Sequence, residues 1–151
     1  MEVNIVLVVD VADFISSNGD AQYIHMIDNV KGSTGEGGHE LASNVVAGDN
    51  VRWSIVAVSP SDQIDITGFT CLQHPNGPDG KSCEGAFGRN GIMNTPRQNA
   101  GTNRVYWEST VQSRDFQDDH YFQYSVSFRA NGHTYTYDPF LKVVRQHELV
   151  A

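Results

Sequence analysis

Carboxylates form the densest groups of chemistry-bearing residues in this chain. Asp10-x-x-Asp13 and Asp118-Asp119-His120 are the closest groupings. Loop carboxylates at strand ends are where β-rich proteins gather calcium, which takes about six to eight oxygen ligands. Asp10, Asp13, Asp118 and Asp119 are therefore the candidate calcium ligands, and Asp20, Asp62, Asp65, Asp79 and Asp138 could add to such a site. The Asp-x-Asp-x-Asp-Gly pattern of an EF-hand is absent. The competing use of the same residues is a solvated turn, because an Asp side chain bonds to nearby backbone there.

Cys71 and Cys83 bracket eleven residues. A disulfide closing that loop would stabilise the fold by roughly 2–3 kcal/mol. In a reducing cytoplasm two such thiols more often stay free. His74 is near, but no second Cys or His pair completes the four ligands zinc needs. The histidines at 25, 39, 74, 120, 133 and 147 are scattered, and no Gly-x-Ser-x-Gly elbow is present. The glycines of 77–91 lack the Lys-Ser/Thr of a P-loop. Trp53, Trp107 and Tyr137 could form a sugar-stacking platform, although aromatics in alternating strands are more often core. Asp138-Pro139 reads as a bend, since Pro donates nothing to a sheet ladder.

The elements that must position these residues are strands. In HYFQYSVSFRANGHTYTYDPFLKVV, residues 120–144, Phe122, Tyr124, Val126 and Phe128 recur at every second position. That period sends successive side chains to opposite faces of a sheet. Asn131-Gly132 is the signature of a two-residue hairpin, whose turn residues both need positive φ. The spacing predicts a hairpin, a kink at Asp138-Pro139 and a last strand over Phe140–Val144.

Earlier in the chain, Val3–Val9 is a continuous apolar run that suits a strand buried on both faces. Asp10–Asp20 reads as a short helical turn or a loop. Strands follow at Ala21–Ile27, Leu41–Val46, Val51–Val58, Gln63–Cys71 and Val105–Val111, with turns at Gly48-Asp49 and Pro60–Asp62. The Gly-rich stretch 29–38 reads as a loop with no apolar anchor beyond Val30. Leu72–Asn103, with six Gly and three Pro, reads as one long loop, which is uncommon in a compact domain unless functional or mobile. Arg114–Asp119 is a polar connection.

These seven to nine strands with polar turns predict an all-β fold: an antiparallel β-sandwich, jelly-roll or immunoglobulin-like, with one long Gly-rich loop. The 151 residues fit a single domain, 1–151. A net charge of −8 with ten scattered basic residues argues against nucleic acid as partner. No run approaches the ~20 apolar residues of a membrane span. The start, MEVNIVLVVD, lacks the basic leader and cleavage site of a signal peptide. A cytoplasmic protein is expected, with release by a route that cleaves no signal left open.

Several segments carry a resemblance. VNIVLVVDVADFI at the start, AQYIHMI at 21–27, GDNVRWSIVAVS at 48–59, YFQYSVSF at 121–128 and YTYDPFLKV at 135–143 resemble the PixA/AidA family of bacterial inclusion body proteins. They come in the family's order and span nearly the whole chain. The family often has Trp before the Asp-Pro, where Tyr137 stands here. The resemblance implies a small, cytoplasmic, abundant and non-enzymatic protein. Some members collect in intracellular inclusions, and some are linked to population-density control and life with an animal host. It carries over no catalytic residue and no defined cofactor.

Physics adds an expectation of self-association. The Phe122–Phe128 strand needs partners for its apolar face, and open sheets have edges that invite pairing. Phe140–Val144 has only Lys142 and Arg145 as edge charges. A two-fold homodimer is the simplest closed outcome. The competing reading is a carbohydrate-binding, lectin-like module, calcium-dependent if the loop carboxylates hold a cation. A small hydrolase is a distant third.

Overall fold

The computed structural model describes residues 1–70, 86–87, 91–100, 105–112 and 120–147. The strands are β1 (Glu2–Val9), β2 (Ile24–Asp28), β3 (Ala42–Val45), β4 (Asn50–Ala57), β5 (Ile64–Thr70), β6 (Arg97–Ala100), β7 (Val105–Thr110), β8 (His120–Gln123), β9 (Ser125–Ala130), β10 (His133–Tyr137) and β11 (Phe140–Val143). One helix, α1 (Val11–Ser16), and a 3-10 turn at Ala21–Tyr23 lie between β1 and β2. The chain is thus mostly β, as its alternation predicts.

The strands form three sheets. Five run in the order β2-β1-β4-β7-β6, three as β10-β9-β5, and three as β3-β11-β8. The expectation of purely antiparallel sheets needs correction, because β1 pairs with β4 and β3 with β11 in parallel. A parallel pair needs a long crossover, and the β1–β4 connection supplies one by carrying α1, β2 and β3.

Val3, Ile5, Leu7 and Val9 of β1 are buried, while the residues between them are half-buried. The run is therefore buried fully on one face only. Val51 and Trp53 of β4 and Ile24 and Met26 of β2 continue that inner face. Ile66, Phe69, Val126 and Phe128 of the β10-β9-β5 sheet join the same core. In β5 the apolar positions step from Ile66 to Phe69, which breaks strict alternation. A bulge between Ile66 and Gly68 absorbs the extra residue and returns Phe69 to the core.

The 120–144 hairpin turns as expected, with Asn131 at φ 46° and Gly132 at φ 84°. Its first strand, however, is two. β8 pairs with β11 in one sheet, and β9 pairs with β10 in another. The break falls at Tyr124, whose N–H donates to the Pro139 carbonyl at 3.1 Å. Pro139 has no N–H to return, so the ladder loses one bond there and the ribbon passes from one sheet to the next. The same feature overturns the expectation of an exposed last strand. β11 is central, between β3 and β8, and its ladder is occupied on both sides.

The Gly-rich stretch after β2 is anchored through its backbone. Gly37 N–H donates to the Met26 carbonyl, and Met26 N–H to the Gly38 carbonyl, at 2.8 and 2.9 Å. Thr34 and Ala42 exchange both backbone bonds, and Asn44 N–H donates to Ser33 Oγ. One loop therefore covers the outer edges of β2 and β3. Its turn depends on Gly35, at φ +82°, where a Cβ would sit 2.5 Å from the Glu40 carbonyl oxygen.

The segment read as one long loop also departs from expectation where it is described. It contains β6, and Ala86, Phe87, Ile92 and Met93 are buried in the core. Sparse apolar residues suffice because they are spaced to reach one cluster around Trp53 and Tyr124.

Candidate functional site

A groove of about 220 Å³ opens where β5 passes the inner face of β4, β7 and β6. Its floor is apolar, with Ile55 from β4, Ile66 from β5 and Trp107 from β7. Alternation places 55 and 107 on the same face as buried Trp53 and Val51. Trp107 stays half-buried, with its ring 5.7 Å from that of Phe69. Asp65 and Gln98, both exposed, supply the polar groups. A half-exposed indole beside an amide and a carboxylate can stack on an apolar ring face and bond its hydroxyls. The volume lies below the ~300 Å³ of ordinary small-molecule pockets, so it suits one small ring.

A second hollow, about 250 Å³, lies on the outer face of the five-stranded sheet around Arg52. The Arg52 guanidinium lies 4.9 Å from the Tyr106 ring centroid. It pairs with Glu2 at 3.2 Å and Glu108 at 3.3 Å. With its charge already balanced, Arg52 has little to offer an anion.

The aromatic trio read as a sugar platform is divided. Trp53 is fully buried, and its Nε1–H donates to the Tyr124 hydroxyl at 3.0 Å. Tyr137 is half-buried, and burial, then the charges of Glu40 and Asp138, push its hydroxyl pKa up. Trp107 lines the groove beside β5. Its neighbour Gln98 falls in a stretch whose Gly and Pro content hides a strand, so alternation could not point to it.

Of the candidate calcium ligands, Asp10 precedes α1 and Asp13 lies in its first turn. A hydrogen bond from Asp10, and then its charge, raise the Asp13 pKa. Two carboxyl groups thus meet, as the i, i+3 spacing implies. Asp118 and Asp119 lie outside the described residues, as do Cys71 and Cys83. Among the described residues, no three of His, Cys, Asp and Glu cluster to hold a metal ion.

A second carboxyl pair was not foreseen. Asp28, at the end of β2, accepts from Val30 N–H, and its own N–H points to the Glu36 carboxylate at 3.3 Å. Partial burial, and then the facing Asp28 carboxyl, push Glu36 up to about 7. Elsewhere Asp49, 3% exposed, accepts from Val46 N–H at 2.8 Å and meets the Met1 nitrogen at 3.1 Å and His147 Nε2. It ties the first strand, the β3–β4 turn and the end of the described chain together.

No helix among the described residues is long and apolar enough to cross a membrane. A search of curated proteins finds no match. Among solved structures, the chain is similar to a PixA inclusion body protein from Burkholderia cenocepacia J2315, with a TM-score of 0.64. The match covers 97% of this chain and 95% of that one at 12% sequence identity. The likeness read from the strand segments is therefore met in the fold along nearly the whole chain. A family model, described as a domain of unknown function (DUF8788), matches residues 1–136. This chain belongs to that family, DUF8788.

Proposed function

We propose that this chain is a non-catalytic, self-associating β-sandwich protein of the inclusion body type, stored in the cytoplasm and acting in contact with a host. The observation that carries this reading is the near end-to-end fold match to a PixA inclusion body protein. Such a match spans 97% of the chain rather than one motif. The net charge of −8 keeps dilute protein apart through mutual repulsion, and salt screens that repulsion. Light scattering over a concentration and salt series tests the reading. A mass above the monomer at physiological salt is expected, and a strictly monomeric mass at all concentrations would refute it.

The second reading is a carbohydrate-binding module, and the Trp107 groove favours it. A half-exposed Trp flanked by Asp65 and Gln98 is the chemistry of a sugar subsite. A glycan array with and without chelator tests it. Binding that Trp107→Ala abolishes supports the reading. Binding lost with chelator would bring in calcium and the carboxylates at Asp10 and Asp13.

A further inference from the structure

Six strands end a sheet: β2 and β6, β10 and β5, β3 and β8. Unpaired edges invite another chain, and proteins blunt them with short strands, charges, bulges or a covering loop. β2 and β3 are covered by the 33–38 loop. β5 is interrupted by its bulge. β6 and β8 are four residues each, and β6 carries Arg97. Among the described residues, β10 has none of these guards. Its five residues, His-Thr-Tyr-Thr-Tyr, include no Pro, Lys or bulge.

Hairpin geometry identifies which backbone groups β10 leaves open. A two-residue turn makes Ala130 and His133 a reciprocally bonded pair. Bonding then alternates, so His133, Tyr135 and Tyr137 face β9, while Thr134 and Thr136 turn their N–H and C=O outward. Both threonines are exposed, and no backbone bond to either edge group is made among the described residues. Below the bend, the same side of this ribbon is used. There Phe140 and Val144 donate to Leu41 and Val45 on the β3 side. Among the described residues, the edge is thus filled along β11 and open along β10.

We propose that the open edge of β10 is the pairing surface between two copies of this chain, joined antiparallel about a two-fold axis at Tyr135. This rests on the self-association reading above and names its interface. In that register Thr134 of one copy faces Thr136 of the other, and the reverse. All the outward N–H and C=O groups of both residues are then satisfied. Tyr135 meets its own equivalent, which extends the ring cluster it already forms with Phe14 at 4.6 Å and Phe128 at 5.9 Å. His133 of one copy faces Tyr137 of the other at each end. β10 itself carries no carboxylate, so the chain's net −8 is not concentrated on the pairing strand. The two β10-β9-β5 sheets become one continuous sheet.

The test is the mass in solution of wild type, Thr136→Pro and a Thr134→Lys/Thr136→Lys double variant, with circular dichroism on each. Pro at 136 removes an outward N–H and so costs no ladder bond within the monomer, although the 3.3 Å hydroxyl contact between Ser127 and Thr136 goes with it. The lysine pair guards the edge without changing the backbone, and decides the question if the Pro variant does not fold. An associated wild type with folded, monomeric variants is the expected result. Unchanged association in the folded variants would overturn the β10 interface while leaving self-association in place. A wild type that stays monomeric would overturn both.

Discussion

Trp53 and Tyr124 both carry a polar atom into a core from which water is excluded, and each satisfies the other through the 3.0 Å indole–hydroxyl bond. Replacing Tyr124 with Phe keeps the ring contacts but leaves the indole N–H without its partner. The expected cost is about 1–3 kcal/mol, the penalty for an orphaned buried donor, read as a lower denaturant midpoint at unchanged slope. Glu36 makes a pH prediction. Its folded pKa of about 7 stands above the ordinary value of 4.5, so the folded state binds the extra proton between them. Its contribution to stability is complete below pH 4.5 and is lost as pH rises through about 7. Glu36→Gln should therefore remove part of the decline in stability across that window. The side chain as a whole is exposed, and solvent screening keeps the slope modest. Identical pH profiles for variant and wild type would contradict the assignment. At this scale, residue type marks Trp107 and spacing marks the Asp10–Asp13 pair, whereas Asp65 was marked only as an added calcium ligand and not as a neighbour of Trp107. Gln98 and the Asp28–Glu36 pair were not legible, because they depend on which strands lie side by side.

Among the elements, the 33–38 loop closes two sheet edges at once. That turn rests on Gly35, where φ is +82° and a Cβ would strike backbone at 2.5 Å. Gly35→Ala should destabilise by at least about 1 kcal/mol, because neither the conformation nor the close approach tolerates a side chain. Faster amide exchange at Met26, Ala42 and Asn44 is the local signature, since their N–H groups bond to this loop. Unchanged exchange there would mean that the loop does not hold the edges. The 120–144 ribbon shows how local signals compete. Asn-Gly specified the turn and Pro139 the bend. The change of sheet at Tyr124 was invisible, because the apolar alternation runs through it unbroken.

For the whole molecule, two mixed sheets and one antiparallel sheet around one core leave β10 as the unguarded edge among the described residues, and a net charge of −8 opposes its pairing at low ionic strength. Association should strengthen from low to physiological salt, as a Debye length near 10 Å replaces one near 30 Å. Sedimentation across that range checks the direction, and association that weakens with salt would point to charge pairing instead. Circular dichroism should report a β spectrum, since α1 spans only six residues.

Local pattern alone determined that this chain is mostly β, and that it turns at Asn131-Gly132 and bends at Pro139. Each of those facts follows from period, turn chemistry or a missing N–H within a few residues. Tertiary structure decided the rest: the parallel β1–β4 and β3–β11 pairs, β11 at a sheet centre, and Phe87, Ile92 and Met93 drawn from a Gly-rich stretch into the core. A strand's alternation says which face is apolar, but every strand offers two edges to any neighbour. Which edge is filled depends on chain crossings between residues far apart in sequence, and on the shared core that those crossings bury.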